Sequence, residues 1–224
     1  MRIICQYFLF FMIYSILGWI LEVICKLITH KRFINRGFLI GPYCPIYGWG
    51  VLFMELALNR YLEDPITLFI MIVLSMTILE YFTSWILEVI FKTRWWDYST
   101  YRFNINGRVC LETMLPFGLA GLFVMYIANP IVLNLISSIS ETWLYTLSAI
   151  IFLGYIVDNI LSFKILLSLK DISSKVRTDS TEKITKKVKQ IIIKNNKTLE
   201  KRIIGAFPHL QIYHFKKNND KNNV

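Results

Sequence analysis

Glu22 precedes Lys26 by four residues, and Glu88 precedes Lys92 by four, each pair near the end of a long apolar run. Residues four apart share a helix face, and Glu before Lys is the favourable order. Two chemistries suit such pairs. One is an interfacial salt bridge whose lysine reaches toward the headgroups. The other is a pair of carboxylates facing each other to bind a cation or substrate, because ionisable groups inside a membrane are expensive and mark function. Glu55, Glu80 and Asp158 lie deeper in apolar sequence, and Glu80 shares roughly one face with Ser84 and Glu88. A second group of candidates sits in two polar loops: Asn35 and Arg36 in the first, Asp97, Arg102, Asn106, Arg108 and Glu112 in the second. Arginine offers a planar fork suited to phosphate or carboxylate, and the asparagines add neutral donors. Three arginines facing only Asp97 and Glu112 leave positive charge for an anionic solute or lipid headgroup. A structural cap over the helix ends is the competing reading. Glu22, Glu88, Asn35, Arg36, Asp97, Arg102, Asn106, Arg108 and Glu112 form the predicted substrate-binding set.

Other chemistries lack their residues. No glycine precedes a lysine, so the chain has no phosphate-binding loop of an ATPase. His30, His209 and His214 lie in loop or tail, and no zinc-protease, hydrolase or kinase signature occurs. No catalytic residue, metal site or cofactor is expected. Cys5, Cys25, Cys44 and Cys110 form no CxxC pair and read as small buried hydrophobes rather than a zinc site or disulfide framework.

The elements that must position these groups are membrane helices. Hydrophobic residues make up 55% of the 224-residue chain, and 15 of its 25 Lys and Arg lie from Lys164 onward. That distribution separates a lipid-embedded part from a solvated tail and argues against nucleic acid as a partner. Five spans are predicted: Ile3 to Ile28, Pro42 to Leu62, Ile66 to Phe91, Thr113 to Ala128 and Thr142 to Leu169. The first run has no small-residue cleavage site and is expected to remain as a helix. Asn129-Pro130 is expected to interrupt the fourth span, leaving 131–140 as a half-helix or interfacial segment. Residues 1–169 thus form a transmembrane domain, and 170–224 a cytoplasmic basic tail. Within the tail, Ile184, Val188, Ile191, Ile192, Leu199 and Ile203 recur at helical spacing among lysines. This is a basic amphipathic helix, suited to anionic lipid or a partner. After Phe207-Pro208, the Lys- and Asn-rich end reads as disordered.

Basic residues sort by connection. Lys26, Lys31, Arg32 and Arg36 flank the first, and Lys92, Arg94, Arg102 and Arg108 the third. The second offers Arg60 against Glu63 and Asp64, and the fourth only Glu141. The positive-inside rule therefore puts the N-terminus outside, and the two loops and tail in the cytoplasm. The chain also repeats itself. WILEVICK at 19–26 recurs as WILEVIFK at 85–92, and Arg32-Phe33, Gly37 and Gly48 recur as Arg102-Phe103, Gly107 and Gly118. Copies at about 3–62 and 66–128 each hold two spans, so both face the same way. The expected fold class is an all-α integral membrane protein of about five helices with a parallel two-helix repeat and an amphipathic C-terminal helix.

The motifs GWILEVICK, RFINRGFLIGPYCPIYGWG, WWDYS, FNINGRVCLE and the late AFPHL resemble the bacterial family called Putative ABC-transporter type IV, the CmpB-like permeases. The match runs from about Gly18 to Leu210. The resemblance implies a multi-pass plasma-membrane protein of Gram-positive, often clostridial, bacteria. It does not indicate which residues bind a solute. Three functions follow as expectations. The first is a permease subunit without its own ATPase, needing a separate ATPase subunit or a homodimer. The second is a membrane-embedded enzyme or lipid-headgroup binder acting at the cytoplasmic loops. The third is a non-transporting scaffold whose partners are membrane lipids and other proteins. A deep cavity between the repeats favours the first, a headgroup-level site at Arg36, Asp97 and Arg108 the second, and an exposed apolar tail helix the third.

Overall fold

The computed structural model of the chain describes residues 1–31, 33–35, 37–174, 181–194, 198–206 and 211–212. Arg32, Arg36 and the predicted break and disordered end from Phe207-Pro208 lie outside the described residues, apart from the short strand at 211–212.

Continuous apolar sequence has to become helix where lipid offers no partner to an open backbone, and among the described residues four helices are long and apolar enough to cross a membrane. They are α1 (Arg2–His30), α3 (Pro65–Phe91), the combined α4 (Leu111–Phe123) and α5 (Asn129–Ser137), and α6 (Glu141–Ser174). Along α3, Ile66, Ile70, Leu74, Ile78, Phe82, Trp85 and Val89 stay exposed at every third or fourth position. That row is a lipid-facing stripe, since water would not tolerate its continuity. Asp64 starts α3 by accepting from the Ile66 and Thr67 amides at 3.1 and 3.2 Å and from the Thr67 hydroxyl at 2.5 Å. Those bonds, the Thr67 hydroxyl first, hold its carboxyl below the usual aspartate range. Pro65 occupies the first turn, where no amide donor is needed.

Two predicted elements differ. Asn129-Pro130 does not break the fourth span. A wider turn over Val124–Ala128 lets the Asn129 amide reach the Val124 carbonyl, five residues back, and the helix continues to Ser137. Such a π-type turn absorbs the donor that Pro130 lacks. The second span is the larger departure. Only α2 (Pro45–Ala57) and a single 3-10 turn at Asn59–Tyr61 are helical, and the stretch before α2 is irregular backbone with successive bends over residues 37–42. Gly37 has φ 93°, and Gly41, Pro42 and Pro45 crowd the stretch, so its backbone cannot coil into a regular turn. The Cys44 amide donates to the Ser15 carbonyl at 2.8 Å. Ser15 lies near the midpoint of α1, so the chain returns from the end of α1 to mid-depth as irregular, bent backbone before α2 carries it out as about 20 Å of helix.

The apolar core has two parts. Phe10, Tyr14, Met54, Leu58, Leu68, Ile72, Met125 and Leu144 fill the half near the N-terminus. At the other end, α7 (Thr181–Lys194) and α8 (Thr198–Ala206) bring Val188, Ile192 and Ile203 against Phe91, Trp95, Ile165 and Leu166. The amphipathic tail therefore covers this chain's own bundle, and β4 (Gln211–Ile212) pairs with β1 (Thr93–Arg94). The second loop closes on itself through β2 (Asn104–Ile105) and β3 (Val109–Cys110).

Candidate functional site

A space remains between α1, α2, α3 and α4, although its glycines sit close against neighbouring side chains. Gly18, Gly50, Ala120 and Gly121 line a cavity of about 480 Å³, with walls from Leu17, Leu79, Met76, Val124 and Phe117. Its polar groups are few. Glu22 accepts from the Tyr47 hydroxyl at 2.8 Å, and Glu80 accepts from the Tyr98 hydroxyl at 3.3 Å. Tyr98 comes from the second loop with Trp96, so both rings roof the cavity at the loop end. Burial first, then the Glu80 charge, pushes the Tyr98 hydroxyl above the usual tyrosine range, so it stays a donor. Tyr14 also lines the cavity, and its hydroxyl is buried with no hydrogen-bond partner among the described residues. Mostly apolar walls with a few convergent polar groups are the common form of a small-molecule site.

A second construction lies beside it. Asp158 of α6 accepts the Ile40 and Gly41 amides at 2.9 and 2.7 Å, the Ser162 hydroxyl at 2.8 Å, and the Tyr43 hydroxyl. Asn35 donates to the Ile40 carbonyl at 3.3 Å, and Arg202 of α8 to the Phe38 carbonyl at 3.0 Å. Non-helical backbone inside a bilayer is tolerated only when protein groups satisfy it. These side chains supply that satisfaction, so Asp158 acts as a brace for the irregular segment.

A family model described as Putative ABC-transporter type IV matches residues 9–163. The chain belongs to this family. No curated protein and no solved structure matches it. The matched residues take in α1 to α5 and most of α6, so both the cavity and the braced segment lie within the family's own extent.

In this family member, the predicted site residues are not gathered into one place. Glu22 lines the cavity. Glu88 instead sits with Arg94 at 3.0 Å and Arg108 at 3.1 Å, and Arg94 also reaches Asp97 at 3.6 Å. Arg108 is buried, donates to the Ser84 hydroxyl at 3.2 Å, and lies 5.7 Å from the Tyr81 ring centre. Its charge is already met by protein. Asn35 is tied up by the Trp19 indole at 2.7 Å and by Ile40, while Asn106 donates to Tyr81 at 2.9 Å. Arg102 stands over Phe103 at the surface, and Glu112 is exposed in the first turn of α4. Arg36 lies outside the described residues. Sequence reasoning places Glu80 and Asp158 only as deeper candidates, takes Tyr98 as part of a headgroup-level aromatic cluster with Trp95 and Trp96, and does not single out Tyr14 or Tyr47. A carboxylate in an apolar run signals the first two; nothing in the spacing signals the tyrosines, which meet their partners only through the fold.

Proposed function

We propose that the chain is the membrane-spanning component of a transporter, that its solute occupies the cavity between α1, α2, α3 and α4, and that a separate subunit supplies ATP hydrolysis. The observation that carries this is the cavity itself, reaching from the loop-end roof of Trp96 and Tyr98 past mid-depth to Met54 and Ala128 in the half near the N-terminus. Membership of a transporter-type family supports it, as does the discontinuous second span, since broken elements beside a midplane site are a recurring feature of transporters. The charge asymmetry of the connections supports an N-terminus outside and a cytoplasmic tail. The two-copy reading has support from Gly37 and Gly107, both with positive φ, and from Tyr47 and Phe117, equivalent positions whose rings meet at 6.3 Å. Trp19 and Trp85 weigh against strict equivalence: Trp19 holds Asn35, whereas Trp85 faces outward. The headgroup-binding alternative loses ground because Glu88 and Ser84 already engage Arg108.

A transporter must expose its cavity to each side in turn. Cys44 and Cys110 are buried, so replacing Cys5 and Cys25 by alanine leaves a background with little reactive thiol. An Ala120→Cys thiol should then react with an impermeant maleimide from both faces of membrane vesicles that retain the native partners. Reaction from one face alone would sink the transport reading.

A further inference from the structure

We infer that the cavity between α1, α2, α3 and α4 binds a lipophilic organic cation, with Glu80 as its counter-charge and the surrounding aromatic rings as its walls. The inference rests on the transport reading for its biological use, but not for its chemistry. Glu80 lies within α3, 15 residues from Pro65 and 11 from Phe91, or roughly 16 to 22 Å from either helix end. Among the described residues its only hydrogen bond is from the Tyr98 hydroxyl, and no Lys or Arg forms an ion pair with it. A carboxylate held in apolar surroundings calls for a positive partner. The Tyr14 hydroxyl is a second unanswered group in the same space, although only 4% of that residue is exposed.

The rest of the lining decides the class of cation. A compact metal ion needs several oxygen ligands at once, and no group of three or more acidic, cysteine or histidine side chains gathers among the described residues. Anions meet Glu22 and Glu80 on the walls and no basic group among the cavity's lining residues. An organic cation fits both halves of the surface. Its apolar body covers Leu17, Leu79, Met76 and Val124, while Tyr14, Tyr47, Trp96, Tyr98 and Phe117 supply ring faces to a diffuse positive charge.

The test uses the full chain in nanodiscs of zwitterionic lipid, with empty nanodiscs as the blank, and two probes of like shape and opposite charge, tetraphenylphosphonium and tetraphenylborate. Saturable binding is expected for the phosphonium and not for the borate. Glu80→Gln should weaken phosphonium binding at least about tenfold, as expected for loss of one nearby opposite charge in a poorly screened site. Ala120→Trp, which fills the cavity without touching charge, should abolish it, and serves alone if Glu80→Gln does not fold. Equal binding of both probes, no saturable phosphonium binding, or binding indifferent to either folded variant would overturn the inference. Loss of phosphonium binding with two-sided labelling of Ala120→Cys intact would remove the cation site and leave the transporter. One-sided labelling with binding intact would do the reverse.

Discussion

Asp158 has four donors directed at one carboxylate, two of them backbone amides that belong to a segment 117 and 118 residues away in sequence. A neutral amide side chain has a single acceptor oxygen and brings two donors of its own. Asp158→Asn should therefore lose part of the brace, and Asp158→Ala all of it. Leaving two part-buried amides unanswered costs roughly 1–3 kcal/mol. We expect Asp158→Ala to lower the unfolding midpoint in mild detergent sharply, with Asp158→Asn between it and the parent; an unchanged midpoint in both would remove the brace. Arg108 makes the opposite point about charged residues near a membrane face. Its sequence setting is that of a headgroup ligand, yet the fold gives it Glu88 and Ser84, so its surplus charge exists only on paper.

Elements pack closely where glycine permits it, and the helical glycines are not equal. A Cβ at Gly48 would lie 2.5 Å from the Phe11 carbonyl oxygen and collide with the Ser15 hydroxyl, both fixed parts of α1. At Gly50 the nearest atom is the flexible end of Met76, and at Gly154 nothing lies within 4 Å. Gly48→Ala should thus destabilise by about 1–3 kcal/mol through forced separation of α1 and α2. Gly154→Ala should be neutral or gain up to about 1 kcal/mol of helix propensity. Thermal unfolding of the three alanine variants tests the order, and equal effects at Gly48 and Gly154 would contradict the close approach. The same segment shows what sequence could and could not reveal. Long apolar runs without breakers, such as Pro65–Phe91, announce their helices because lipid leaves one solution. Residues 37–44 are as apolar as a helix, and their glycines and prolines signalled a tight backbone. They did not signal depth, which depends on Ser15 and Asp158, and those partners are distant in sequence. The Asn129-Pro130 pair misled for a related reason: a single widened turn repairs the helix, and its cost is set by neighbours such as Glu55, which accepts from Asn129 at 2.7 Å.

At the scale of the molecule, the two ends differ in kind. At one, Arg2 pairs with Glu141 at 3.4 Å and the connections hold Glu63 and Asp64. At the other, both basic loops and the tail helices pack together around Phe91, Trp95 and Phe38. Moving lysine and arginine across a bilayer during insertion is unfavourable, and the cytoplasmic leaflet is the anionic one, so the basic end should remain inside. On the proposed reading the roof of the cavity, Trp96 and Tyr98, would face the cytoplasm, the side from which the proposed ATP-hydrolysing subunit would act. In intact cells carrying the Cys5→Ala and Cys25→Ala background, an impermeant maleimide should label Glu63→Cys within minutes and leave Arg102→Cys unlabelled until the membrane is permeabilised. Both positions lie outside the spanning helices, so neither substitution disturbs the packed core. Labelling of Arg102→Cys alone would invert the protein in the membrane. It would place the cavity roof and tail outside, where no nucleotide-driven partner could reach them.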